Sequence, residues 1–355
     1  MSFTTTSEIA GPVSVVFQQT LLRNAKARAP YFAGSTAAEI REHSGTFTAK
    51  WRRIENLSAV TTALSELTGG VAFPTRVGVQ PSVTDYTATL AKYGNFIFLN
   101  EEVDLINYNG QTDKLVEILG INAGQSLNRL QRNELEDNLT AVVAGTATTA
   151  TAVYSSLTLN AIRGAVNTLQ RNSALKFRPQ TTGSTNIGTT PVRQSYWGLC
   201  HVDVEENVRQ LSGFNSVETY ASQTEIADGE FGAVGGVRWV SSEDATIDAG
   251  SGATATGSTT GLDLRQTGGV VDRYSSVVLG MDCHGSVGLG FEHIKEVYMA
   301  GDTLPGVQMI MKPKGSAGSA DPYNEVATMA WKSWHAAEIL NANWGRVIAS
   351  GATIY

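Results

Sequence analysis

Charge, cysteine and long apolar runs are all scarce in this 355-residue chain. Asp, Glu, Lys and Arg together make up 17% of it, below the quarter usual in globular proteins. Two cysteines, Cys200 and Cys283, are too few for a disulfide framework or a Cys-based zinc site. No uninterrupted apolar stretch approaches the ~20 residues that cross a bilayer, so no membrane partner is expected. The opening MSFTTTSEIAGP has no basic start ahead of an apolar core, so no secretory signal is expected and folding is expected in a cytoplasm. The net charge of −7 argues against a dedicated nucleic-acid binder, which normally presents a basic face.

Thr, Ser, Ala, Asn and Gly fill the place of the missing charge. An uncharged polar surface is a poor way to keep a monomer soluble, but it suits broad contact with protein partners. Hydrophobic content, 42%, is ordinary, and the length suits one large or two modest domains. Charge is uneven along the chain. Residues 1–55 hold seven Lys/Arg against four Glu, or +3, which leaves −10 for the rest.

Residues 57–105 organise the reading. Val60, Thr61, Thr62 and the run VTDYTATLAKY are rich in β-branched and aromatic residues, which predicts two long strands. Gly69, Gly70, Pro74, Gly78 and Pro81 break the segment between them into an irregular tip. Neither face of the second strand is apolar: Val83, Asp85, Thr87 and Thr89 alternate with Ser82, Thr84, Tyr86 and Ala88. A two-stranded ribbon is marginal alone in water. This one is expected to be an arm that lies on another copy of the chain.

Elsewhere helical and strand periods both occur, and the terminal strands read as an antiparallel sheet, so an α+β fold is expected. A short helix is predicted from residue 13 to Pro30, which stops it. Apolar residues at helical spacing predict a helix over 112–144, roughly 45 Å long, with Thr112 or Asp113 as N-cap and Gly145 as stop. A second helix is expected over 158–172. Strands are expected at 196–201, 234–241 and 275–282, with a helix from Asp203 and polar loops at 179–194 and 248–261. Two apolar C-terminal segments read as antiparallel strands. In the second, Met329, Trp331, Ser333, His335, Ala337 and Ile339 share one face by alternation, expected to pack on the long helix.

Catalytic and metal-binding patterns are weak. The histidines His43, His201, His284, His293 and His335 are dispersed, and only Cys200-His201 and Cys283-His284 are adjacent Cys/His pairs. Core packing accounts for them better than zinc. HGSVGLG around Ser286 lacks the first glycine of a nucleophile elbow. GEFGAVGG lacks dinucleotide-binding spacing, and no P-loop lysine follows a Gly-rich turn. Glu101-Glu102 and Glu205-Glu206 are consecutive, project apart and read as solvated or cap-like. Trp331, Trp334 and Trp344 lack surrounding Arg or Lys and read as core or interface anchors. No cofactor, metal site or catalytic group is expected.

Four blocks, in order, carry a resemblance: LSEL…P leading into VTDYTATLAKYGNFIFLNEEV, then YWGLCHVDVEENVRQL, IADGEFGAVGGVRWVSSED and VATMAWKSWHAAEILNANW. Together they resemble the N4-gp56-like family of tailed-phage major capsid proteins, which have the HK97-type fold. The resemblance implies an N-terminal arm (1–56), an E-loop hairpin (57–105), a peripheral (P) domain with a spine helix (106–151), an axial (A) domain (152–285) and P-domain terminal strands (286–355). It implies a structural protein that self-assembles into hexamers and pentamers of an icosahedral shell around double-stranded DNA, with portal and scaffolding proteins as partners. An encapsulin-like compartment shell and an α+β enzyme are the alternatives. Expected inter-subunit residues are Glu66, Pro74, Arg76, Tyr86 and Tyr93. Some capsids of this fold cross-link an E-loop lysine to a neighbour. Here the first lysine after residue 57 is Lys92, at the arm's base, so no such bond is expected at the tip.

Overall fold

The structure is a computed structural model that describes residues 29–32, 34–41, 45–55, 57–61, 80–106, 111–176, 194–220, 226, 229–254, 264–290, 306–316 and 322–355. The helix expected from residue 13 lies outside them except for its last residue, as do His43, His293, Glu66, Pro74 and Arg76.

A 3-10 turn at Pro30–Phe32 precedes β1 (Thr36–Arg41) and β2 (Thr48–Ile54). Only Leu90 separates β3 (Val83–Thr89) from β4 (Ala91–Asn100), and α1 (Glu101–Ile106) leads to α2 (Gln111–Asn138). Next come β5 (Ala141–Val143), α3 (Leu159–Arg171), β6 (Tyr196–His201), α4 (Val202–Arg209) and β7 (Asn215–Ser216). They are followed by β8 (Glu230–Val234), β9 (Val237–Ser242), β10 (Ile247–Asp248), β11 (Gln266–Thr267), β12 (Val270–Val271) and β13 (Arg273–Leu279). The remaining strands are β14 (His284–Gly290), β15 (Val307–Lys312), β16 (Val326–Ile339) and β17 (Gly345–Ser350).

Two sheets organise these elements. The first is built on β16. Thr328 to Ser333 pair with both β15 and β4, and His335 pairs with both Gly288 of β14 and Ala91 of β4. β14 and β15 therefore share one edge of β16 end to end, and β4 takes the other. β1 extends the sheet beyond β14 in parallel. The second sheet runs β5-β17-β13-β6-β9-β8-β7, with β10 also on β13.

The helix α2 is the spine. Its 28 residues make a rod of roughly 42 Å. Val116, Leu119, Ala123 and Leu127 pack on Val307, Met329 and Trp331 of the first sheet. The expected alternation of β16 is observed: Met329, Trp331, Ser333, His335 and Ile339 are buried, and the residues between them are half-buried. Further along the same rod, Leu135 and nearby Leu139 reach Trp197, Leu199 and Val277 of the second sheet. The opposite face of that sheet carries α3, whose Ile162, Ala165, Val166 and Leu169 meet Tyr196, Trp239, Val278 and Ile348. The N-cap at Thr158 and C-cap at Asn172 match the expected bounds, and Thr158 Oγ1 accepts from the Ala161 amide.

Three expectations fail. The long helix stops at Asn138, and Ala141–Val143 is instead a strand parallel to β17. Its two valines suit a pleated strand, where their amides join a ladder. Helix α2 also begins at Gln111, which puts Thr112 and Asp113 in the first turn rather than at the cap. Gly345–Ser350, expected beside the terminal strands, joins the second sheet between β13 and β5. All six of its residues are buried, as a strand covered on both faces requires.

Candidate assembly interface

The ribbon forms, but from a different first strand. Residues 57–61 adopt no strand and are exposed throughout, and β3 pairs antiparallel with β2, in register Trp51↔Tyr86. The physical reason is sidedness. In TAKWRRI, alternation turns Ala49 and Trp51 to the same side as Ala88 of β3, giving that face something to bury. The outer face is ionic. Asp85 lies 2.9 Å from Arg52 and 2.5 Å from Lys50. The Arg52 hydrogen bond, followed by that from Lys50, holds the Asp85 carboxyl down to about 2.

The inner face of the ribbon is fastened along the whole of β2. Trp51 packs on Gly285 of β14, and Ala49, Ala88 and Leu90 close on Ile40 and Val287. Phe47 stacks on Trp334 with ring centroids 5.3 Å apart. Arg53 donates to the Leu340 carbonyl at 2.9 Å, and its guanidinium carbon lies 5.4 Å from the centre of the Tyr86 ring. Further out, Ile54, Leu57, Val60 and Val83 are all exposed. A ribbon held by its inner face that leaves these apolar groups uncovered is suited to completion by something outside the chain.

Behind the base lies a cavity of about 340 Å³, lined among others by Thr89, Tyr93, Glu134, Asp137, His335 and Glu338. Burial, and then the nearby Glu338, raise the Glu134 pKa, and burial raises that of Glu338. Of the expected contact residues, Tyr86 sits half-buried under Arg53. Tyr93 turns toward the spine helix, where it packs with Ile97 and Leu130. The solvent side of β4 instead presents Phe96 and Phe98, exposed and edge-to-face at 5.0 Å. Sequence reasoning passed over them; the signal was the alternation in GNFIFLN, where two aromatics fall on the face opposite Ile97 and Leu99.

The remaining candidates resolve into structure. Cys200 and Cys283 are buried in separate cores and donate to the carbonyls of Val240 and Asn341 at 3.8 and 3.5 Å. Burial drives the Cys283 thiol up to about 12. His201 caps α4, its Nδ1 accepting from the Asp203 amide at 3.0 Å. Ser286 lies buried inside β14 with its Oγ 3.2 Å from that of Ser35, which is a strand position and no elbow. Glu101 and Glu102 open α1, where the helix dipole favours them, and Glu205 pairs with Arg209 at 2.6 Å. Trp331 is core, with its Nε1 donating to Asn122; Trp344 donates to the Asn172 carbonyl; Trp334 carries the Phe47 stack.

The fold is similar to that of several phage heads. The capsid of Ralstonia phage GP4 aligns with 93% of this chain and 90% of its own, at 10% identity and a TM-score of 0.59. The head of Helicobacter pylori bacteriophage KHP40 aligns over 92% and 91%, at 9% identity and a TM-score of 0.57. The capsid of Cyanophage P-SCSP1u aligns over 90% and 87%, at 13% identity and a TM-score of 0.53. The fold is thus of the HK97-like capsid class. No curated protein sequence matches the chain. The sequence profile described as "Phage capsid protein" matches residues 84–350, and the chain belongs to that family. Its role is structural, as a head protein of a bacteriophage.

Proposed function

We propose that this is a major capsid protein of the N4-gp56-like group, which closes hexamers and pentamers into an icosahedral shell around double-stranded DNA. The observation that carries this reading is the β2–β3 ribbon, held along one face by Phe47, Trp51 and Arg53 while Ile54 and Val83 stay exposed where its pairing ends. A neighbouring subunit's spine helix and terminal sheet are the surfaces it would cover. Glu66, Pro74 and Arg76 would lie at its tip, and Tyr86 and Tyr93 near its base. Many such overlaps add by multivalency, so each contact can be weak while the shell is strong.

In this reading residues 1–56 form the arm, 57–105 the E-loop, 106–151 and 286–355 the P domain, and 152–285 the A domain. The β2 strand gives the arm a share of the hairpin, and β5 and β17 give the P-domain segments a share of the second sheet. Assembly would take place in the host cytoplasm with portal and scaffolding proteins. The acidic bulk of the chain would border packaged DNA without gripping it. Electron microscopy of the purified protein, with and without a scaffolding partner, is the test. Closed particles tens of nanometres across are expected; soluble monomers under both conditions would overturn the reading.

A further inference from the structure

Among the described residues, β4 is the longest strand with an edge that no strand pairs. Its ten residues pair with β16 on one side, and no other strand among the described residues pairs with the far side. In an antiparallel pair, residues alternate between bonding inward to the partner and turning their N–H and C=O outward. The Phe96 amide bonds to the side chain of its own neighbour, Asn95 Oδ1, at 2.9 Å. That assigns the outward groups to Lys92, Gly94, Phe96, Phe98 and Asn100. The protection of the edge is slight: no proline, no bulge, a single charge, Lys92, and one amide capped by Asn95. The outward backbone groups of these five residues, beside two exposed phenylalanines, form a template for another strand.

The sequence of the edge fits itself. Its positive charge, Lys92, stands at one end, and Glu101 and Glu102 follow directly after the other. Antiparallel pairing about Phe96 would set each Lys92 opposite Asn100 and beside Glu101 and Glu102 of the second copy. Parallel pairing would set like charges together. The same register places Gly94 opposite Phe98 of the second copy. Gly94 has no room for a side chain, because a β-carbon there would lie 2.6 Å from the Trp331 carbonyl oxygen. The facing ring can cover the strip of backbone that a side chain would otherwise shield.

We propose that β4 pairs with β4 of a second copy about a two-fold axis at Phe96, joining two first sheets into one and giving the shell a specific two-fold contact. This builds on the capsid reading but predicts a dimer independently of whether particles close. In an antiparallel hydrogen-bonded pair the facing α-carbons are about 5.5 Å apart, inside the roughly 4.4–6.8 Å window of a disulfide. Phe96→Cys should therefore oxidise to a dimer of twice the chain mass on a non-reducing gel. Lys92→Cys alone should not, and Lys92→Cys with Asn100→Cys should.

Particles from Phe96→Cys that stay uncross-linked under oxidation would overturn the proposal and leave the capsid reading standing. Equal cross-linking by Lys92→Cys alone would also overturn it, as random collision. A Phe96→Cys dimer that never forms particles would support the proposal and count against the capsid reading. Should Phe96→Cys fail to fold, hydrogen exchange of the unsubstituted protein decides. Amides of Gly94 and Phe98 protected in the associated form and fast in the monomer support the pairing, and fast exchange in both, or equal protection in both, refutes it.

Discussion

Trp51 lies where a β-carbon of Gly285 would stand: the two would be 2.7 Å apart at the indole Cζ2. The first glycine in HGSVGLG is therefore a seat for the ribbon's only tryptophan, and that docking ties an arm strand to the first sheet. Gly285→Ala must push the indole off β14. An overpacked core position of this kind costs roughly 1–3 kcal/mol. Faster proteolysis within residues 45–55 and a red-shifted Trp emission, with the second sheet's amide protection unchanged, are the expected signs. A crystal-quality fold with Trp51 unmoved in Gly285→Ala would remove the seat argument.

The second sheet contains a buried ion pair that tests a different principle. Arg238 is fully buried and donates through Nε and Nη2 to Glu230 at 2.5 and 2.8 Å, while the Tyr220 hydroxyl donates to the same carboxylate at 3.1 Å. Breaking such a pair by removing one partner costs about 3–5 kcal/mol, whereas replacing both with apolar residues can be neutral. Glu230→Ala should lower the denaturant midpoint sharply, and Glu230→Met with Arg238→Leu should recover most of it. Equal losses in the single and double variants would contradict this account.

Much of this architecture was legible before the coordinates. Periodicity placed β6 at its observed bounds and α3 within a residue, because both carry an unbroken apolar face and α3 also has a Thr cap. The alternation of β16 was readable for the same reason. What could not be read was pairing. Nothing local says that Thr48–Ile54, and not residues 57–61, meets β3, or that Ala141–Val143 leaves the helical register to lie beside β17. Those outcomes depend on Gly285 and β17, which are distant in sequence. The exposed face of β4 was the least legible, since Tyr93 and Phe96 are both aromatics of one strand and only the fold decides which faces α2.

Stability should fall as the pH drops from neutral. Burial lowers both His284 and His335 to about 4, against 6.5 in the unfolded chain. His284 faces the backbone of Tyr31. His335 faces the Phe32 ring at 5.4 Å, the Val287 backbone and the cavity containing Glu134, Asp137 and Glu338. Between pH 6.5 and 4 the unfolded state binds these protons and the native state does not, so stability is full above 6.5 and is lost as pH falls toward 4. The loss saturates at about 3 kcal/mol per histidine. Urea midpoints should drop between pH 7 and 4.5, and His335→Gln should flatten the profile. A profile that keeps its slope in His335→Gln would show that this imidazole is not held neutral.

Glu136 works in the opposite direction. Burial lifts its carboxyl to about 7 against 4.5 unfolded, despite a hydrogen bond from Thr246 and the nearby Arg132. The native state then holds a proton that the unfolded state releases between pH 4.5 and 7, so this group destabilises the fold as pH rises through that window. Glu136→Gln, which mimics the protonated form, should be more stable than the parent at pH 8 and match it at pH 4. A loss of stability at pH 8 would mean that the charged form is the one the site accommodates.

The exposed end of the ribbon separates folding from assembly. Ile54 and Val83 face each other across β2 and β3 and are 64% and 49% exposed, so they contribute little to the isolated subunit. Surface changes away from buried features usually alter stability by no more than about 0.5 kcal/mol. Burial of the two side chains against a neighbour contributes about 1.5–3 kcal/mol each, and that gain is repeated in every subunit of a shell. Ile54→Ser with Val83→Thr should leave the thermal midpoint of the free subunit within a few degrees of the parent. The same variant should need a much higher protein concentration to form particles, measured by light scattering and counted by electron microscopy. An unchanged assembly threshold would mean that the apolar end of the ribbon contacts no neighbour.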